Sequence, residues 1–230
     1  MKIHIFYSHY NVEGTDNKFR PSWFDYEKCF INLLDTIEGK DIDLHLIMDG
    51  KIENNWIHKY KHRYISHEVT AGNMRDAGWQ MFKIALDLVT IKDDDLIYFL
   101  ENDYLHIKGW DKHIINLFSC LEGLNYVTLY DHYDKYFAQD YDNLASKIFV
   151  SDTHHWRTTP STCGSFIVSK KLWKEDYVFH VSLEGDHNKW LAINEQKGRF
   201  ILSAVPGLST HVMSNLMSPI IDWEQINKKI

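Results

Sequence analysis

The stretch Leu96-Ile97-Tyr98-Phe99-Leu100-Glu101-Asn102-Asp103 constrains the fold most, because five apolar residues run directly into a carboxylate, an amide and a second carboxylate. An uninterrupted apolar run of this length suits a strand buried on both faces of a parallel sheet. In open α/β sheets, ligands gather at the carboxyl ends of the strands. Oxygen donors clustered there suit a hard divalent cation such as Mg²⁺ or Mn²⁺, which commonly shares its coordination shell with phosphate oxygens. The same residues could instead close an ordinary loop, with Asn102 or Asp103 capping a helix that begins near Trp110.

Strand and helix signals alternate through the first half, which predicts an α/β fold with a mostly parallel central sheet and helices on both faces. Lys2 to Tyr7 reads as the first strand. A helix follows, N-capped at Ser22 with Asp25 at its third position, apolar at Phe30, Leu33, Leu34 and Ile37, and ended by Gly39. Leu44 to Met48 forms the second strand and leads into Asp49-Gly50, and Tyr64 to Val69 forms the third. Met74, Ala77, Gly78, Met81, Phe82, Ala85, Leu86 and Val89 make one helical stripe between Gly72 and Val89. Beyond the acidic strand come a helix from Trp110 to Leu121 and a strand from Tyr126 to Tyr130. Residues 131–160 lack periodicity and are expected to be loops with at most one short helix. A strand from Gly164 to Ser169, a helix from Trp190 to Lys197 and a final strand from Phe200 to Val205 complete the pattern, without repeats or an interdomain linker.

A chain of 230 residues can bury a substantial core, and its formal charge of −7 argues against a protein that coats nucleic-acid backbones. Cys29, Cys120 and Cys163 are odd in number and widely spaced, indicating neither a disulfide framework nor a zinc ribbon. The first residues resemble a core strand rather than a signal peptide, and no apolar run reaches membrane-spanning length. A cytoplasmic protein is the resulting expectation.

With these elements in order, the chain resembles the GT-A fold of nucleotide-sugar-dependent glycosyltransferases from Lys2 to about Val212. In that family a strand ends in a DXD motif, and the matching segment here is Glu101-Asn102-Asp103. The resemblance implies a single domain over residues 1–230, with a nucleotide-binding half at about 1–107 and an acceptor-binding half at about 108–215. It makes Asp103 a metal ligand, with His211 near the end of the fold completing the shell of Mn²⁺ or Mg²⁺. Glu101, in place of the usual Asp, would contact ribose or metal-bound water, and Asn102 lies beside it. Asp49 would face the nucleobase, and Gly72-Asn73-Met74-Arg75 would close over the nucleotide. Thr162-Cys163-Gly164-Ser165-Phe166-Ile167-Val168-Ser169 matches the strand after the acceptor loop. Glu184-Gly185-Asp186-His187 stands where inverting members carry the catalytic base, here Asp186. The implied partners are a UDP- or GDP-sugar donor and a hydroxyl acceptor such as a glycan or lipid-linked sugar.

Each of these residues also has a structural alternative. Asp186 could cap the helix ahead of Trp190, His211 could be a satisfied core histidine, Asp49 could open an Asp-Gly turn, and Arg75 could be an exposed helical arginine. His154-His155-Trp156-Arg157, placed in a loop, could bind acceptor or a donor phosphate. A sugar-phosphate nucleotidyltransferase has a related fold but needs a Gly-rich basic loop after its first strand, where this chain has Ser8-His9-Tyr10-Asn11-Val12-Glu13-Gly14. A metallohydrolase lacks a supporting histidine motif. A non-catalytic protein that binds sugar nucleotides or carbohydrate is the remaining alternative.

Overall fold

The computed structural model describes residues 1–10, 19–50, 54–183 and 185–230. Most of the Ser8–Gly14 loop, and Glu184, lie outside the described residues. In chain order the elements are β1 (Ile3–Tyr10), α1 (Tyr26–Thr36), β2 (Ile42–Asp49), β3 (Ile65–Val69), α2 (Met74–Asp87), β4 (Leu96–Glu101), β5 (Tyr104–His106), α3 (Trp110–Cys120), β6 (Tyr126–Thr128), β7 (Ile148–Val150), β8 (His155–Thr159), β9 (Phe166–Ser169), α4 (Lys170–Ser182), α5 (Asp186–Lys197), β10 (Ile201–Val205), β11 (Ser209–His211) and α6 (Trp223–Asn227). Short 3₁₀ helices occupy Trp56–Tyr60, Tyr133–Tyr136 and Gln139–Tyr141. Among the described residues no helix is long and apolar enough to cross a membrane.

The chain forms two compact units, each assembled from three segments. The first contains Met1–Asp16, Lys40–Asn102 and Cys163–Gly198; the second contains Asn17–Gly39, Asp103–Thr162 and Arg199–Ile230.

In the first unit the strand order is β3-β2-β1-β4-β9, with the first four strands parallel and β9 antiparallel to β4. The apolar run of β4 is buried from Leu96 to Leu100, as a strand covered on both faces must be. Register brings the strand ends to one edge: Tyr10 pairs with Asp49 and Asp49 with Val69, while Glu101 ends two residues earlier, opposite Ser8. Asp49 and Glu101 therefore share the carboxyl edge. An aromatic cluster fixes the helices, with Phe82 of α2 at 4.8 Å from Phe99 of β4, and Trp173 of α4 at 4.6 Å from the same ring. Asn73 caps α2 by accepting from the Asp76 N–H at 3.0 Å, while its amide donates to the Asp76 carboxylate at 2.8 Å. The buried Lys170 ammonium closes the other end of α2 by donating to the Leu86 and Leu88 carbonyls at 2.8 and 3.3 Å.

In the second unit β10 pairs parallel with β6 and antiparallel with β8, β7 extends this sheet beyond β8, and β5 and β11 form a separate antiparallel pair. Cys29, Leu105, Val212 and Trp223 form a buried cluster that brings together α1, β5 and the C-terminal segment. The buried Asn32 of α1 splints β5, donating to the His106 carbonyl at 3.1 Å and accepting from its N–H at 2.6 Å.

Several boundaries differ from the sequence pattern. Helix α1 is capped by Asp25 instead of Ser22, because residues 21–24 close a turn through the Phe24 N–H and the Pro21 carbonyl. It ends at Thr36, with Ile37 extended, and does not reach Gly39. Neither Asn102 nor Asp103 caps α3: β5 intervenes, and Gly109 occupies the cap. Residues 131–160 contain β7 and β8 besides two short 3₁₀ helices, and the largely exposed β7 leaves no core face to register as periodicity. Helix α4 escapes the pattern because Lys170, Asp176 and His180 lie on its buried face beside Leu172 and Trp173.

Asn32→Ala should destabilise the chain by about 2–4 kcal/mol, since two buried backbone groups of His106 lose their partner at once. Urea unfolding measures this, and a loss under ~0.5 kcal/mol would show that water replaces the splint.

Candidate functional site

Asp49 ends β2 and Glu101 ends β4 on the carboxyl edge of the first unit, with β1 between them. The Asp49 carboxylate accepts backbone N–H groups of Ala71 and Gly72 at 2.8 and 3.3 Å, tying β2 to the loop that opens α2. Gly50, which follows Asp49, has φ +81°, a conformation that side chains disfavour, and the rest of the expected Asp-Gly turn lies outside the described residues. Asn73 spends its side chain on the α2 cap, and the exposed Arg75 lies 5.4 Å from the Trp79 ring. Glu101 sits against Gly164, where an added Cβ would lie 3.3 Å from the carboxylate carbon. Asn102 is buried, and its carbonyl accepts from the Tyr7 hydroxyl at 3.2 Å, which anchors the end of β4 to β1.

Strand β9 starts beside Phe99 and runs back to Leu96, and α4 then returns so that His180 stacks on Phe166 at 5.2 Å. Trp190 of α5 meets the same Phe166 ring edge-on, also at 5.2 Å. Helix α5 is thereby packed against β9 and α4. Gly185, at φ +76°, is the residue in the cap position, so Asp186 is the first helical residue and not a cap. Its exposed carboxylate pairs with Lys189 at 3.2 Å.

In the second unit, Asp103 and His211 meet. The Asp103 carboxylate, 1% exposed, lies 3.0 Å from His211 Nε2 and accepts a 2.6 Å hydrogen bond from Arg20 on the same oxygen, Oδ2. Arg20 also donates to the Val212 carbonyl at 2.6 Å and lies 4.3 Å from the Phe24 ring centre. His211 stacks on Tyr104 at 5.1 Å with ring planes 5° apart, and Tyr130 stands edge-on to it at 6.4 Å. A carboxylate oxygen and an imidazole nitrogen this close form a donor pair that suits a divalent ion such as Mn²⁺.

The second unit also contains a polar centre around Asp131. Arg157 and the Tyr136 hydroxyl each donate to the Asp131 carboxylate at 2.6 Å. Burial pushes Asp131 above the ordinary carboxylate range, against the pull of Tyr136 and Arg157. Burial and the neighbouring carboxylate push Tyr136 up to about 12. His132 stacks obliquely on Tyr130 at 4.0 Å and bonds to Thr162 at 3.0 Å.

The segment His154-His155-Trp156-Arg157 is thus not a loop, as its last three residues belong to β8. Trp156 is core, His154 bonds to the Pro206 carbonyl at 2.8 Å, and Arg157 serves Asp131. Sequence reasoning missed Arg20 and Asp131. Arg20 precedes its helix without any pattern to mark it, whereas Asp131 directly follows an apolar strand, the same signal that singled out Asp49 and Glu101.

No protein-family model matches the sequence, and no curated protein matches it. Solved structures match in fold. S. aureus TarS 1–349 aligns at a TM-score of 0.55 and 12% identity, over 88% of this chain and 58% of that one. The 4-diphosphocytidyl-2C-methyl-D-erythritol synthase of Anaerococcus prevotii DSM 20548 aligns at 0.51 and 10% identity, over 98% of this chain and 93% of that one. A protein of Desulfovibrio desulfuricans G20 assigned as a nucleotide-diphospho-sugar transferase aligns at 0.50 and 11% identity, over 88% and 80% of the respective chains. The chain therefore spans little more than half the TarS fragment, and at these identities the likeness is one of fold. That fold is the mixed α/β, GT-A-like fold of nucleotide-diphospho-sugar transferases.

Proposed function

We propose that the chain is a metal-dependent glycosyltransferase that moves a sugar from a nucleoside-diphosphate donor to an acceptor hydroxyl with inversion. The observation that carries this reading is the buried Asp103–His211 pair just beyond the strand that ends in Glu101, on a nucleotide-diphospho-sugar transferase fold. Asp103 and His211 would hold the cation, and the nitrogen donor favours Mn²⁺ over Mg²⁺. When bound, the ion would neutralise charge developing on the leaving diphosphate.

The remaining roles belong to the chain's own residues. Asp49 would meet the nucleobase, because its carboxylate already orders the loop before α2. Asn73 keeps that helix start in place, and Arg75, beside it, would reach phosphate or base. Glu101, with the space beside it kept open by Gly164, would contact ribose or water, and Asn102 would hold the strand end that presents it. Asp186 would take the proton from the attacking acceptor hydroxyl, with Lys189 orienting its carboxylate.

The likeness to the cytidylyl-transferring synthase extends over nearly all of both chains and favours a second reading, nucleotidyl transfer with pyrophosphate release. Against it stands the Ser8–Gly14 segment, in which His9 is the single basic residue.

Calorimetry with UDP and GDP should show binding that requires Mn²⁺ and falls at least tenfold in Asp103→Ala. Unchanged affinity in that variant would remove the metal assignment. Asp186→Asn should keep donor binding while turnover falls by roughly 10²-fold, the typical worth of a positioned base. A product retaining the donor's anomeric configuration would exclude Asp186 from that role. Pyrophosphate release from a nucleoside triphosphate and a sugar phosphate, without glycosyl transfer, would establish the second reading.

Arg20 has a separate test, because it compensates a carboxylate that is almost wholly buried. Arg20→Met should cost about 3–5 kcal/mol in urea unfolding, the usual penalty for stranding one partner of a buried ion pair. Adding Asp103→Asn should recover part of that loss. A double variant no more stable than Arg20→Met would show that Arg20 acts through packing alone.

A further inference from the structure

The amino ends of β1 and β2 carry a second cluster of metal-ligating side chains, unconnected with the proposed transfer. His4 Nδ1 lies 3.3 Å from His45 Nε2 and 3.6 Å from Asp43 Oδ2, and one ligand atom from each of the three residues lies within 4.8 Å of the other two. His4 and His45 are buried, while Asp43 is half-buried and opens the cluster to solvent. From the geometry we infer that His4, Asp43 and His45 form a binding site for a divalent transition metal, with Zn²⁺ the best match, and leave a fourth position for water.

Three observations support the assignment. Tetrahedral zinc with bonds of ~2.0–2.1 Å sets its donor atoms about 3.3 Å apart, which is the spacing of the two facing imidazole nitrogens. The His45 ring also has its remote nitrogen hydrogen-bonded in the manner that orients metal-bound histidines, and the remote nitrogen of His4 faces a carboxylate beyond hydrogen-bond distance. His4 Nε2 faces Asp95 Oδ2 at 3.6 Å, and Asp95 is itself fixed by the Lys2 and Lys92 N–H groups at 2.8 and 3.0 Å. His45 Nδ1 bonds to His67 Nε2 at 3.0 Å, while Phe6 stacks on the His45 ring at 4.6 Å with planes 6° apart. Finally, the Lys2 ammonium lies 2.6 Å from Asp43 Oδ2, so this carboxylate already attracts a cation, and Lys2 is exposed enough to withdraw when a metal takes its place.

The cluster differs from the Asp103–His211 pair in place and in chemistry. His4 is the second residue of β1, four residues or about 13 Å along the strand from Ser8 at the carboxyl edge. Its nitrogen-rich donor set suits zinc more than a diphosphate-bound Mg²⁺ or Mn²⁺. Coordination here would clamp β1 to β2 across the middle of the first unit's sheet.

Metal-free full-length protein without a histidine tag should bind one Zn²⁺ per chain in calorimetry, and Co²⁺ should give the intense visible absorption of a four-coordinate site. Both signals should persist in the Asp103→Ala/His211→Ala double variant. Asp43→Ala, at a half-exposed position, should retain its circular dichroism and lose Zn²⁺ affinity at least tenfold, and His45→Gln should do the same. His67→Ala should lose about tenfold through the orienting bond alone. Absence of Zn²⁺ binding, or binding untouched by Asp43→Ala in a folded protein, would reduce the cluster to a histidine hydrogen-bond chain and overturn the inference. Binding abolished in an Asp103→Ala/His211→Ala variant that retains the circular dichroism of the parent would equally overturn it.

Discussion

A carboxylate almost completely withdrawn from water needs compensation from nearby donors, and in the second unit this requirement at Asp103 sets much of the surrounding structure. Burial of an unpaired charge would cost several kcal/mol, and Arg20 and His211 supply the partners. Arg20 is 83 residues upstream and His211 is 108 residues downstream, so meeting the demand gathers three remote segments. Arg20 then secures Val212 and Phe24, and His211 secures Tyr104 and Tyr130. The arrangement costs desolvation and closes long loops, so stability alone is a weak reason for it.

The first unit meets a different constraint. Four parallel strands in register bring their carboxyl ends to one edge, and the backbone groups beyond the sheet need partners. Asp49, Asn73 and the Tyr7 hydroxyl, which donates to the Asn102 backbone carbonyl, satisfy part of that need while holding the loops of this edge in place. The same side chains thus serve structure first. Whatever they do for a ligand is added to an architecture that already requires them.

This double duty explains what the sequence made legible. Parallel strands buried on both faces are written as apolar runs, so β1, β2 and β4 and the polar residues that end them could be read directly. Asp103 and His211 could be paired only through a resemblance, since nothing in local spacing links positions 108 residues apart. Arg20 was invisible for the same reason. The β7–β8 pair and α4 failed for another: one is largely exposed, and the other buries Lys170, Asp176 and His180, so neither has a clean apolar period. The sequence pattern started α5 at Trp190 and offered Asp186 as a cap only as an alternative; the helix begins at Asp186 with Gly185 in the cap position, because a glycine at positive φ carries no side-chain signature of capping.

The alternation of the two units along the chain bears on how the protein is made. The backbone passes from one unit to the other at residues 16/17, 39/40, 102/103, 162/163 and 198/199. During synthesis the first unit has β1 to β4 once Asn102 has emerged, yet it lacks β9, α4 and α5 until the chain reaches Gly198. Until β9 and the start of α4 emerge, β4 exposes an unpaired edge, and Phe82 and Phe99 lack the cover of Phe166 and Trp173, surfaces on which nascent chains associate. Neither unit can be liberated as one uninterrupted fragment, so domain truncation is closed as a route to dissecting the protein. Any chaperone that attends its emergence from the ribosome has a hydrophobic strand edge to shield for the span of some sixty intervening residues, from Asp103 to Thr162.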